Sequence, residues 1–300
     1  MNETIGILAA MCSSGLGGTA IAATRYLAGA ADPLTIGACR FGIGFLLLAG
    51  LGAWQGGGRH GRPWPARRDW PAVAGLGLLF FGLFPVLFNA SLIYTTAARA
   101  ALALSTLPLL TMAAAAMLGV EALTARKSLG VAVATGGVAL ALLAGLGTAP
   151  DGAWRGDALM AAAALCMALY NVWSRPFIRR SGALPFTALG MGVGAAALAG
   201  LAWARGDLAA LAGFGLPQWL AMLHLGLFGS ALTFWLWAFA LVRTTPTRVA
   251  VSVTVNPVTA ALLGAVLLGE PIRWNLVLGL AAVLAGIALA STGGPRAAAG

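Results

Sequence analysis

Apolar runs of about twenty residues, divided by short polar turns, recur along the whole chain, and about 20 apolar helical residues cross a bilayer core of roughly 30 Å. The runs predict ten membrane-spanning helices: 4–24, 34–53, 71–93, 98–119, 128–147, 157–174, 184–203, 217–240, 246–268 and 275–292. One longer linker, 54–70, and a Gly/Pro/Asp-containing joint, 147–156, interrupt them. The pattern also repeats. Thr95, Thr96, Arg99, Ala101, Pro108, Glu121, Leu129, Gly130, Gly137 and Ala139 stand 149 residues before Thr244, Thr245, Arg248, Ala250, Pro257, Glu270, Leu278, Gly279, Gly286 and Ala288. Chance supplies matching alanines and leucines in so apolar a chain, but not Thr-Thr-x-x-Arg followed in register by Pro and Glu, so the chain reads as two homologous halves. The expected organisation is a first five-helix repeat over 1–147, a linker over 148–156, a second repeat over 157–292 and a short tail over 293–300. Five spans per half is an odd number, so the second copy enters the bilayer from the opposite side. The fold class predicted is an all-α membrane protein of ten transmembrane helices arranged as two inverted five-helix repeats.

Composition strengthens the membrane reading: the 300 residues are 60% hydrophobic and 9% charged, with a mean hydropathy of +0.91. Those values lie far from the soluble average. A net charge of +10 raises nucleic acid as a partner, but the basic residues sit between apolar runs and not along one face, so no nucleic acid is expected. Cys12, Cys39 and Cys166 all fall inside apolar runs without CxxC spacing and read as packing residues. The opening MNETIGILAAMC lacks a basic stretch and a cleavage pattern, and is read as the start of the first span.

Charge changes the picture once more, through orientation. Loops after helices 2, 4, 6 and 8, with the tail, hold twelve Lys and Arg; loops after helices 1, 3, 5, 7 and 9 hold five, and Arg40 lies within a span. Cytoplasmic loops carry the excess, so both termini are expected in the cytoplasm of a bacterial inner membrane.

Inverted repeats of this kind mark secondary transporters, with a substrate site near the midplane. Pro108 and Pro257 lie ten and eleven residues into helices 4 and 9, roughly 15 Å deep. Each removes a backbone donor and bends its helix, freeing the carbonyls of Leu104 and Val253. The kinks serve either packing alone or a cavity that they line and hinge; Ser105, Thr106, Thr111, Thr254 and Asn256 beside them favour the second. Thr96 and Thr245 are the expected N-caps of helices 4 and 9, and Arg99 and Arg248 are expected to anchor those helices on headgroups or a carboxylate. Glu121 and Glu270 end the same helices; proton coupling there is the sharper reading, though both stand at interfaces where coupling carboxylates are seldom found. Asn89 and Asn171 serve either as helix-to-helix hydrogen-bonding groups or as ligands. Tyr170 and Trp235 complete the candidate wall, with Trp235 preferred to Trp237. Arg40 is expected to snorkel to the outer surface. His60 and His224 have no ligand companions, so neither metal nor nucleophilic chemistry is indicated and no cofactor is expected.

Ten helices in two such halves, each with Pro in its fourth helix, Gly-Glu near that helix's end and a Gly-rich fifth helix, resemble the EamA branch of the drug/metabolite transporter superfamily. The resemblance implies a pathway enclosed by helices 1, 3, 4, 6, 8 and 9, with helices 5 and 10 at the sides, and export of amino acids and related metabolites. The aromatic and small-polar character of helices 3, 6, 8 and 9 is similar to that of YddG-type exporters of aromatic and other neutral amino acids. One departure is helix 1, where Ser13-Ser14-Gly15-Leu16-Gly17 replaces the family's Trp-Gly. A phosphate or nucleotide sugar would need cations that the interior lacks apart from Arg40, whereas a zwitterion is easier to hold. The expected function is alternating-access export of small neutral metabolites, foremost amino acids, uncoupled or weakly coupled, by a monomer. The substrate-binding candidates are Asn89, Ser105, Thr106, Pro108, Tyr170, Asn171, Trp235, Thr254, Asn256 and Pro257. The alternatives are a proton-coupled exporter of lipophilic cationic drugs using Glu121 or Glu270, and a non-transporting membrane enzyme or assembly subunit.

Overall fold

The computed structural model describes residues 2–56, 64–95, 97–142, 151–256 and 274–291, and these form helices joined by turns. Helix 1 is Asn2–Leu27, helix 2 Pro33–Gly56, helix 3 Arg67–Tyr94, helix 5 Ala125–Leu142, helix 6 Ala153–Trp173, helix 7 Ala183–Arg205, helix 8 Leu216–Leu241 and helix 10 Trp274–Ser291. Helix 4 is broken into Ala97–Leu104 and Leu107–Met117, and helix 9 is described over 246–256. Five of them, helices 2, 3, 6, 7 and 8, are long and apolar enough among the described residues to cross a membrane. Helix 6 begins at Ala153, so the last residues expected in the linker are helical.

Local chemistry sets the ends. Helix 2 starts with Pro33 behind Asp32, whose Oδ1 accepts from the Leu34 N–H at 2.7 Å, a cap combined with a first-turn proline. Helix 9 starts at Pro246 behind an extended Thr245 (φ −81°, ψ 151°), as expected, but the Thr245 hydroxyl caps nothing and is buried without a partner. The start is therefore fixed by proline and backbone. Thr96 lies outside the described residues.

The inversion is visible in pairs of contacts. A Cβ on Gly130 of helix 5 would stand 2.8 Å from the carbonyl O of Gly286 in helix 10, and a Cβ on Gly137 would stand 2.8 Å from that of Gly279. Gly137 corresponds to Gly286 and Gly279 to Gly130, so these are one contact seen from each half. Small residues there let two backbones touch, which drives helix association in lipid through close packing. The helix ends agree. Arg175, just past helix 6, donates through Nε to the Leu241 carbonyl (2.7 Å) and through Nη2 to the Thr244 carbonyl (2.9 Å). The Thr244 hydroxyl in turn faces Glu3 of helix 1 at 3.4 Å. Helix 1 thus begins where helix 6 finishes, at what is called here the first end of the bundle. At the far end, Asp157 at the start of helix 6 accepts from the Thr95 hydroxyl, 2.9 Å away, just after helix 3.

Helices 3 and 8 read as continuous spans but each contains one π-helical segment, Leu78–Leu83 and Leu227–Leu232. The two segments are 149 residues apart, so the irregularity was duplicated with the sequence. Each follows a glycine, Gly77 or Gly226, at which a neighbouring helix comes close: Gly190 of helix 7 against Gly77, and Ile43 of helix 2 against Gly226.

Candidate functional site

Helix 4 is interrupted at Ser105 and Thr106, and helix 9 tightens into a 3-10 turn at the equivalent place. In helix 4 the turn at Ser105 and Thr106 replaces α-helical bonds with Ser105 N to Leu102 O (3.1 Å) and Thr106 N to Ala103 O (3.2 Å). The hydroxyls follow the backbone: Ser105 Oγ donates to Leu102 O at 2.6 Å and Thr106 Oγ1 to Ala103 O at 2.7 Å. In helix 9 the stretch Ser252–Thr254 is 3-10 helical, with Thr254 Oγ1 donating to Val251 O at 2.6 Å. Thr254 occupies the place of Ser105 and Val251 that of Leu102, so one hydrogen bond is present in both copies. The break precedes Pro108 because proline has no N–H to bond the Leu104 carbonyl and its ring crowds that carbonyl out of the preceding turn. The Ser105 carbonyl released there accepts from Thr135 of helix 5 at 3.3 Å. Pro257 and Glu270 lie outside the described residues.

Between the two breaks, helix 1 bridges the halves. Ser13 Oγ donates to the Thr233 carbonyl of helix 8 at 2.8 Å, and Ser14 Oγ meets Ser252 Oγ of helix 9 at 3.1 Å. Gly17 packs on the side chain of Asn256, whose Oδ1 is buried without a partner. Ser13, Ser14 and Ser252 were not among the candidates read from the sequence. The signal was the replacement of a bulky Trp-Gly by two serines, which lets helix 1 approach helices 8 and 9 and hydrogen-bond to them.

The aromatic residues sort into a buried wall. Tyr170 stacks on Phe80 with centroids 4.2 Å apart and planes at 20°, and Phe81, Phe84 and Phe234 surround Phe80 at 5.0 to 5.4 Å. Trp237, and not Trp235, is the indole turned inward: its Nε1 donates to Asn171 Oδ1 at 2.9 Å, while Trp235 packs half-buried on Phe239. Asn171 thus joins helices 6 and 8, yet its Nδ2 is buried with no acceptor. Asn89 is half-buried one turn beyond Phe84 and Pro85.

Arg40 does not snorkel outward. Ile43 lies against Gly226 and Gly44 against Ser230, so the Arg40 Cα stands on the far-end side of that level and its side chain runs past it toward the bundle's middle. There Nη2 donates to the Gly229 carbonyl at 2.7 Å and Nε to Ser230 Oγ at 3.0 Å, both within the second π-segment. A π-turn frees carbonyls from the regular ladder, and these take a partner where a donor reaches them. The adjacent Phe228 carbonyl is met by the Thr233 hydroxyl at 2.7 Å.

Charged contacts tie the halves together at the first end. Glu121 Oε1 pairs with Lys127 Nζ at 2.7 Å, and its Oε2 accepts from the Thr247 hydroxyl at 2.8 Å, tying the turn after helix 4 to the start of helix 9. Arg248 is buried, pairs with Glu3 and donates to the Ala290 carbonyl, so of its two expected partners the carboxylate is the one used. Burial, reinforced by the nearby Arg179 and opposed by Glu121, holds the Arg175 guanidinium below its ordinary pKa. Two surface hollows, of about 500 and 430 Å³, lie elsewhere, one at the turn 28–33 with Asp207 and one between helix 3 and Trp173.

The EamA-like transporter family model matches this chain twice, over residues 4–143 and 154–292. An uncharacterized transporter, YyaM, of Bacillus subtilis is 24% identical over 271 residues, covering 89% of this chain and 87% of its own. Another uncharacterized transporter, from Archaeoglobus fulgidus, is 24% identical over 277 residues, covering 90% and 92%. A solved crystal structure, 25% identical, superposes with a TM-score of 0.75 over 96% of this chain and 97% of the other. With both halves matched, ten helices in inverted repeats and relatives that are transporters, the chain belongs to the EamA-like transporter family.

Proposed function

We propose that this transporter exports small neutral metabolites, foremost aromatic and other neutral amino acids, across the bacterial cytoplasmic membrane by alternating access. The observation that carries the reading is the pairing of helix breaks: the Ser105 and Thr254 turns and the two π-segments recur at equivalent places in inverted halves. Halves of this kind rock against one another about broken helices, exposing a central site to one side and then the other. The excess of Lys and Arg supports a cytoplasmic first end, in which reading the Glu121, Thr247, Glu3 and Arg248 contacts belong to the inner closure and Thr95 with Asp157 to the outer one. A zwitterion suits the groups at the seam. Asn171 Nδ2 and the Asn89 amide are donors for the polar groups of a substrate, Asn256 Oδ1 is an acceptor for an ammonium, and Phe80, Phe84, Tyr170 and Phe234 suit an aromatic or aliphatic side chain. Pro108 and Pro257 act in this reading as hinges, with Ser105, Thr106 and Thr254 holding the broken turns. Trp235 is the indole that follows helix 8 as it moves.

Glu121 is bound to Lys127 and Thr247 at an end of the bundle, which favours a latch over a proton carrier. The test is release of labelled Phe, Trp, Met and Thr from proteoliposomes, with and without a pH gradient. Release faster than from protein-free vesicles, insensitive to the gradient in wild type and in Glu121→Gln alike, is the expected result. Release indistinguishable from empty vesicles for all four would overturn the amino acid assignment, and a requirement for the gradient abolished by Glu121→Gln would replace uniport by proton coupling.

A further inference from the structure

Arg40 is a cation held inside a span, with no acid among its partners in the described residues. Its partners among the described residues are the Gly229 carbonyl, the Ser230 hydroxyl and the face of Phe41, 5.0 Å from the guanidinium carbon; none is a carboxylate. Arginine stays charged in proteins and offers five N–H donors in a planar fork. Nε–H and one Nη2 proton are used by Ser230 and Gly229. The Nη1 pair and the second Nη2 proton are left, on the side of the fork suited to two parallel bonds with an anion. The place is equally specific. Gly229 packs on Ala20 of helix 1, with Arg40 Nη2 beside it, so the guanidinium lies where helix 1 of the first half meets helix 8 of the second. His224, five residues before Gly229 on helix 8, faces Thr19 of the same helix 1 at 3.3 Å, which extends the polar lining of this seam toward the far end. Gly42-x-Gly44 and Leu48-Ala-Gly-Leu51 of helix 2 match Gly192-x-Gly194 and Leu198-Ala-Gly-Leu201 of helix 7 at an offset of 150, so the counterpart of Arg40 is Gly190 and the duplication does not require a charge here.

We infer that Arg40 is the carboxylate-binding residue of the transport pathway, and that the π-segment Leu227–Leu232 is the backbone rest that aims its fork. The substrate class is then an organic acid or amino acid with a free carboxylate; amines and lipophilic cations are excluded. This deepens the export reading and rests on it only for the direction of movement, since binding is measured without transport. A charge-assisted, bidentate contact in a partly desolvated seam discriminates strongly against a ligand that lacks the carboxylate.

The experiment is calorimetric titration of the purified, detergent-solubilised full chain with L-phenylalanine, 3-phenylpropionate and phenethylamine. Wild type is expected to bind both carboxylates and to bind phenethylamine at least tenfold more weakly. Arg40→Gln is expected to weaken both carboxylates at least tenfold and leave phenethylamine unchanged. Arg40→Lys, which keeps the charge and loses the fork, should fall between, and it carries the test if Arg40→Gln does not fold. The inference is overturned if wild type binds neither carboxylate, if the folded variant binds them as wild type does, or if it loses all three ligands alike, which is the signature of a merely structural arginine. Binding of 3-phenylpropionate that needs Arg40, together with no movement of phenylalanine in proteoliposomes, would keep the site and remove the exporter reading, so the two failures are distinct.

Discussion

The two π-segments share a backbone and differ in everything around it. Leu78–Leu83 of helix 3 carries Phe80 and Phe81, both buried and in ring contact with Tyr170 and Phe234, and its neighbourhood is dry and aromatic. Leu227–Leu232 of helix 8 is polar: Gly229 and Ser230 hold Arg40, Thr233 closes on Phe228, and Ser13 of helix 1 closes on Thr233. A π-turn costs hydrogen-bond regularity, and such turns persist mostly at functional sites. Here duplication kept the turn twice, and the side chains then diverged into an aromatic wall in one half and a polar rest in the other. Inverted halves that remained identical would present a substrate with the same surface from both sides. The divergence provides different contacts for the two ends of a small amphipathic molecule.

The comparison breaks most severely at the glycines preceding each segment. A Cβ on Gly77 would stand 2.5 Å from the backbone oxygen of Gly190, which has no side chain to yield, whereas at Gly226 the obstacle is the side chain of Ile43. Gly77→Ala is expected to destabilise by about 1–3 kcal/mol, and Gly226→Ala by less, because a side chain can shift where a backbone cannot. Thermal unfolding in detergent checks the order; equal losses would mean that the two seams are equally rigid.

Next in size is the contrast between aromatic and polar roles. Trp237→Phe removes the donor to Asn171 Oδ1 and leaves that buried amide with no partner at either end. The expected loss is about 1–3 kcal/mol. Tyr170→Phe keeps the stacking on Phe80 and should change stability by roughly 0.5 kcal/mol or less, as befits a ring held by its face. If Tyr170→Phe proves the more harmful, the aromatic wall has a polar function of its own.

The hydroxyls of the two turns test symmetry directly. Ser105→Ala and Thr254→Val each remove the same hydroxyl-to-carbonyl bond, in copies of one turn, without deleting a methyl group. Each should cost about 0.5–1.5 kcal/mol, and the two values should agree. A large difference between them would show that the breaks in helices 4 and 9 are no longer equivalent.

Much of this architecture was legible from residues alone. Thr-Thr-x-x-Arg, Pro and Glu kept in register gave the halves and apolar run length gave the spans, whereas Gly130, Gly137, Gly279 and Gly286 were read as part of the repeat and not as the helix 5 and 10 contact they make. The π-segments were not legible, since no residue type enforces a π-turn; only the matched Gly77 and Gly226, at equal spacing, hinted at close approach. Arg40 was misplaced because depth in a span was treated as the deciding quantity. Its direction depends on which carbonyls a neighbouring helix leaves free, and that is a tertiary fact. Ser13 and Ser14 were seen but given no role, because their partners on helices 8 and 9 lie more than two hundred residues away.

The central claim is that the inverted halves trade which end of the bundle is open. It is tested most directly by spin-label distances in the full chain with Cys12, Cys39 and Cys166 replaced by serine. One pair of labels is placed at Leu123 and Arg179 across the first end and another at Ile93 and Trp154 across the far end, all of them exposed. Addition of L-phenylalanine is predicted to shift the two distance distributions in opposite senses, one end widening as the other narrows. Distances that stay fixed at both ends, or that widen together, would contradict the account.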